Sequence, residues 1–98
     1  MSKNTHHSYL EENISLFWNY MKEKYPVYKN SNIFFRDIQF GIKDFFSKRD
    51  QILDNAETED LAYKTTGLLE NKGVLSKLND NTWKVNFLDD NIVINSNI

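Results

Sequence analysis

The side chains best suited to chemistry are few. His6 and His7 are the only imidazoles in the chain, and there is no cysteine. A structural zinc site needs four ligands at tetrahedral spacing. None stands near this pair, so within a polar opening segment, residues 1–8, both rings read as part of a flexible, frayed terminus. The acid pairs Glu11-Glu12 and Asp89-Asp90 fall on a solvated face and in a turn cluster, not on an apolar face. No Gly-rich phosphate loop, interior histidine or carboxylate constellation is present, which leaves no combination able to serve as nucleophile, base and orienter. The sequence therefore predicts a non-enzymatic protein with no catalytic residue, no metal ligand and no cofactor.

Binding is better provided for. Phe40 projects among Arg36, Lys43, Asp44 and Ser47, opposite the apolar stripe of its helix. Tyr63 sits on an outward face between Glu59 and Glu70. A hairpin register that pairs Leu78 with Trp83, Ser76 with Val85 and Val74 with Phe87 places Lys77 beside Lys84 on the polar face. Like charges set side by side are relieved by solvation, by a local acid such as Asp80, or by an anionic partner. Phe40, Tyr63, Lys77 and Lys84 form the candidate interaction surface.

These residues need elements to hold them. From Tyr9 the spacing of Leu10, Ile14, Phe17, Trp18, Met21 and Tyr25 predicts one amphipathic helix, stopped before Pro26. A second helix is expected over residues 33–49, with Phe34, Phe35, Ile38, Ile42, Phe45 and Phe46 on its inner side. Residues 50–57 can continue that helix, form a turn, or start the third helix at Asp54 with Glu57 completing a capping box; a start nearer Thr58 is preferred. In the third helix Leu61, Thr65, Leu68 and Leu69 face inward, Thr66 and Gly67 outward, and Gly73 supplies the stop. A hairpin follows. Residues 92–94 either add a short third strand or belong to a loose tail over residues 89–98. Trp18, Phe45 and Leu68 are expected in the core and Phe40 outside it.

Composition fits that outline. At 98 residues, 40% hydrophobic and 14% aromatic, one domain over residues 9–88 buries roughly two-thirds of its unfolded surface. No apolar run is long enough to span a bilayer and the opening residues lack a secretory signal, so the expectation is a cytoplasmic protein with no membrane association. A net charge of −2 and a pI near 5.6 lack the overall basic footprint of a nucleic-acid binder.

The run from Leu61 to Phe87, above all LLENKGVLSKLNDNTWKVNF, resembles the third helix and wing of winged-helix proteins, and the two upstream helices extend the likeness over most of the chain. The fold class implied is α+β: three helices, then a C-terminal β-hairpin. The chain departs from the DNA-binding members, in which a few residues join the second helix to the recognition helix, because residues 47–58 are long or helical here. The outward face of the third helix also offers Glu59 and Glu70 where base-reading side chains are expected. The resemblance therefore implies first a protein-interaction module with a protein partner. The alternative is a small DNA-binding regulator contacting DNA through Lys64, Asn71, Lys77 and Lys84. Homo-oligomerisation is compatible with both.

Overall fold

A computed structural model describes residues 3–25 and 27–86. Among them the chain forms four helices and a three-stranded antiparallel sheet: α1 (Lys3–Glu12), α2 (Ile14–Lys24), β1 (Asn32–Phe34), α3 (Phe35–Ser47), α4 (Asn55–Asn71), β2 (Leu75–Asn79) and β3 (Thr82–Val85). It is a small α+β domain, and no described helix is long and apolar enough to cross a membrane.

The single first helix expected from Tyr9 is two helices, and the first begins within the segment expected to fray. The break is Asn13, at φ −116° and ψ 30°. Its side-chain amide donates to the Tyr9 carbonyl at 2.9 Å, and its own N–H is shared between the Tyr9 and Leu10 carbonyls. Asparagine interrupts helices in this way because its short amide competes for backbone groups. The apolar stripe crosses the break intact, burying Leu10, Ile14, Phe17, Trp18 and Met21. Tyr25 leaves the helix in an extended conformation, as the residue before a proline should.

The second helix starts later than the sequence suggested. Asn32–Phe34 is a strand in which Ile33 is buried while Asn32 and Phe34 are exposed. It pairs with β3 through Ile33 opposite Trp83, giving that strand hydrogen-bonding neighbours on both sides. Phe34 accordingly stands outside the inner stripe to which it was assigned. Its N–H donates to the Asp37 carboxylate at 3.1 Å, which caps the start of α3. Along α3 the buried residues are Phe35, Ile38, Gly41, Ile42, Phe45 and Phe46.

Residues 48–54 are neither helix nor strand. Asp50 turns the chain at φ 61°, a left-handed conformation that Asp tolerates better than most residues. Asp54 then caps α4, its carboxylate accepting from the Glu57 N–H at 2.7 Å. The early start for this helix is therefore the observed one, and Thr58 lies one turn inside, donating its hydroxyl to the Asp54 carbonyl. Thr66, expected outward, is buried with its hydroxyl on the Tyr63 carbonyl, whereas Leu68 is only partly buried. Gly73 ends the segment at φ 78°, and the Val74 N–H returns to the Leu69 carbonyl.

The hairpin adopts a different register from the expected one. Leu75 opposes Val85, Ser76 opposes Lys84 and Lys77 opposes Trp83, with an irregularity between Lys77 and Asn79. Val74 is fully buried at the helix exit, so Leu75, not Val74, takes the inward strand position. Ser76 and Lys77 move with it, since a one-residue slip exchanges the faces, and the irregularity then returns Asn79 opposite Thr82, where the expected register also puts it. Leu78, assigned opposite Trp83, is exposed at the irregularity. The strands order β1-β3-β2. The candidate third strand at residues 92–94 and the tail over residues 89–98 lie outside the described residues; β1 is the third strand observed.

Phe45 is the centre of the core. Its ring meets those of Phe17, Tyr20 and Phe46 at 5.4, 5.8 and 5.6 Å between centroids, and the Arg49 guanidinium covers it at 3.7 Å. Phe45→Ala should therefore cost about 3 to 5 kcal/mol, whereas Phe40→Ala, at a side chain 55% exposed, should cost below about 1 kcal/mol; urea midpoints at constant m-value check both. The two helical glycines should diverge as well. At Gly67 an added Cβ meets nothing within 4 Å, so Gly67→Ala should stabilise by roughly 0.5 to 1 kcal/mol. At Gly41 it collides with the sulfur of the fully buried Met21, and Gly41→Ala should lower the thermal midpoint despite its better helix propensity.

Candidate interaction surface

The outer faces of α3 and α4 enclose a groove. On α3, Arg36, Phe40 and Lys43 recur at helical spacing on the side away from Phe45, with Gln39 beside them. On α4, Asn55, Glu59 and Tyr63 do the same. The walls touch in opposite sequence order. Lys43 Nζ donates to Asn55 Oδ1 at 3.0 Å at one end, and the Phe35 and Tyr63 rings meet at 4.5 Å and 37° toward the other.

Two recesses lie along this line. One, of about 150 Å³, is lined by Gln39, Phe40 and Lys43 from α3 and by Asn55, Thr58 and Glu59 from α4. The other, of about 320 Å³, is lined by Phe34, Phe35, Arg36, Gln39 and Asn81, the last from the hairpin turn. Gln39 borders both. Phe34, Phe40 and Tyr63 are each about half exposed here, at 49%, 55% and 59%. Aromatic carbon set along a concave surface with few charges suits capture of another apolar surface. The lining offers no imidazole and only one carboxylate, Glu59.

Phe40 lines the smaller recess and Tyr63 stands beside the larger through its contact with Phe35, though it lines neither; Lys77 and Lys84 also line neither. The observed register also separates the two lysines. Lys77 pairs opposite Trp83 and Lys84 opposite Ser76, and successive pairs point to opposite faces of a sheet, so the like-charged pair expected from the other register is not formed. Lys77 instead meets Asp80 at 3.5 Å. Lys64 is bridged to Asp60 one helical turn away, at 3.2 Å, and Asn71 is exposed as the last residue of α4.

Phe34, Arg36, Gln39 and Asn81 were missed as site residues. A signal for Phe34 did exist: the alternation of Asn32, Ile33 and Phe34 followed by Asp37 at capping distance reads as a strand entering a helix. Asn81 could be placed only once β1 and the hairpin were paired. At the end of α2, burial and then the nearby Asp37 carboxylate raise the Tyr25 phenol above its ordinary value, since both oppose formation of the phenolate.

The second polar cluster is His6. Far from fraying, its ring is 4% exposed, with Nδ1 on the Glu57 carboxylate, Nε2 3.3 Å from Gln51 Oε1, and an edge-on contact to Phe46 at 5.0 Å. The ring ties α1 to the first turn of α4 and to the residues before it. A histidine and a carboxylate in contact can move protons, but this ring is closed off from solvent and lines neither recess. Among the described residues no group of three or more His, Cys, Asp or Glu side chains is placed to hold a metal ion. The geometry is that of a buried clamp.

No family model, curated protein or solved structure matches the chain.

His6→Ala removes both polar contacts and the packing on Phe46, so it should destabilise by about 1 to 3 kcal/mol, with His7→Ala, at a less buried neighbour, costing far less. Chemical denaturation of the two variants side by side checks this.

Proposed function

We propose that this chain is a non-enzymatic, winged-helix-like protein-interaction module that receives its partner along the groove between α3 and α4. The fold reading is supported by the order of elements. From α2 onward the chain runs helix, strand, helix, helix, strand, strand, with the first strand against the last, and β2–β3 stands where a wing would. In this reading α1 is an addition at the N-terminal end, held by His6. Residues 48–54, between α3 and α4, replace the tight turn of a DNA-reading helix pair.

The observation that carries the functional reading is the set of three half-exposed aromatic rings on one side of the domain: Phe40 in the recess shared by α3 and α4, Phe34 in the neighbouring recess, and Tyr63 on α4 against Phe35. Aromatic anchors bordered by a few polar groups dominate the energetics of protein interfaces. The DNA-binding alternative draws less support. Its lysines are dispersed, two of them beside acids, and the outward face of α4 presents Glu59 next to Tyr63.

Affinity capture of partners from native lysate with and without nuclease tests the reading, using the purified partner for kinetics. Binding should survive nuclease. Tyr63→Ala and Phe40→Ala should each weaken it at least tenfold, mainly by faster dissociation, while Lys77→Glu combined with Lys84→Glu should leave it within about threefold. Nuclease-sensitive, salt-steep binding that depends on the lysines and ignores the aromatics would put DNA in the partner's place.

A further inference from the structure

We propose that the occupant of the α3–α4 groove is a second copy of the same chain, paired about a two-fold axis that runs along the groove. This rests on the reading of the groove as an interaction surface and names its partner.

The inference comes from how charge is divided between the two walls. The α3 wall carries Arg36 and Lys43, with Phe40 between them; the α4 wall carries Glu59, flanked by Asn55 and Tyr63. One wall is basic and aromatic, the other acidic and aromatic. Arg36 and Glu59 are both exposed, and neither has an ion-pair partner among the described residues. A foreign partner for this groove needs the reversed pattern, acid facing α3 and base facing α4. The chain itself presents that pattern when turned over about the groove.

Two in-plane axes bring copies face to face with their helices aligned, and charge separates them. An axis across the groove sets α3 on α3 of the copy, so that Arg36 and Lys43 approach Lys43 and Arg36 of the copy. Juxtaposed like charges oppose association. An axis along the groove sets α3 of each copy over α4 of the other while keeping each residue at its own level. The contacts of Lys43 with Asn55 and of Phe35 with Tyr63 fix those levels. Glu59 of one copy then lies level with Phe40 of the other. Arg36 and Lys43 of that copy stand about one helical turn, roughly 5.4 Å, to either side, within reach of flexible side chains. Arg36 also comes level with the exposed face of Tyr63, where a guanidinium is attracted by the ring. All these contacts occur twice, and the pairing closes at two copies, because an isologous interface uses the same patch on each.

Sedimentation of the full chain from about 1 µM to about 1 mM, the range in which modest interfaces populate dimers, tests the pairing. A shift from monomer to twice the monomer mass is expected, weakened by salt. Arg36→Glu and Glu59→Arg should each weaken the dimer at least tenfold, and the two together should restore it to within about threefold, since the charges then face each other exchanged. Circular dichroism melts confirm that the variants fold; where one does not, Arg36→Gln and Glu59→Gln replace it and should weaken the dimer severalfold. A monomer at every concentration overturns the proposal, as does a dimer indifferent to these changes or a double variant no better than the single ones. A monomer that captures a foreign protein, lost on Phe40→Ala and Tyr63→Ala, overturns the second copy and leaves the interaction surface standing. A monomer whose melting point falls sharply with Phe40→Ala also overturns it, because the side chain is then already covered within a single copy.

Discussion

The rotation of α3 about its own axis is the constraint on which the rest of this molecule depends. Phe45 and Phe46 lie side by side and both are fully buried, their rings perpendicular to each other. Phe45 closes against α2 through Phe17 and Tyr20, and Phe46 closes against α1 through Tyr9 and His6. Close-packed rings leave α3 no freedom to turn without opening a cavity under one of them. With that face held, helical geometry sends Arg36, Phe40 and Lys43 to the opposite side. The groove is in this sense a product of the core.

The sheet supplies the second fixed boundary. Trp83, in the central strand, is 2% exposed and lies opposite Ile33 on one neighbour and Lys77 on the other. Phe35 stacks near Trp83 at 6.2 Å and near Tyr63 at 4.5 Å. One ring therefore connects the central strand to the outer aromatic of α4. Tyr63 is half exposed yet not loose, since one face of its ring is held while the other remains open. An aromatic anchor fixed in this way loses little conformational freedom on binding.

How much of this was legible in the sequence depends on the range of the physics involved. The stripes of α2 and α3 could be read because the 3.6-residue period is a local property, and Gly73 announced the helix end for the same reason. Phe40 was correctly placed outside by the same periodicity. The start of α4 was readable as the pattern of Asp54 and Glu57, but acidic residues at 59 and 60 offered a competing start one turn later. Errors gather where a distant partner decides. Asn32–Phe34 becomes a strand because β3 lies beside it. His6 is buried because Gln51 and Glu57 lie beyond α1. The hairpin register was misjudged because Val74 was counted as a strand residue when the helix exit had already taken it into the core. The outward placement of Phe40 and Tyr63 follows from helical phase alone. The two lysines were placed together by the mistaken register.

Among the described residues the sheet ends in β1 on one side and β2 on the other, and both edges are blunt. β1 is three residues long, and β2 carries Lys77 and an irregularity at Leu78 before its turn. Short strands, lysine and bulges are the devices by which edge strands avoid pairing with strands of other molecules. An exposed Leu78 at a regular edge would invite fibre-like stacking at high concentration; at an irregular edge it meets no straight template. The molecule can therefore display apolar side chains on its helical side while its strands resist runaway addition, which keeps self-recognition, where it occurs, finite in number.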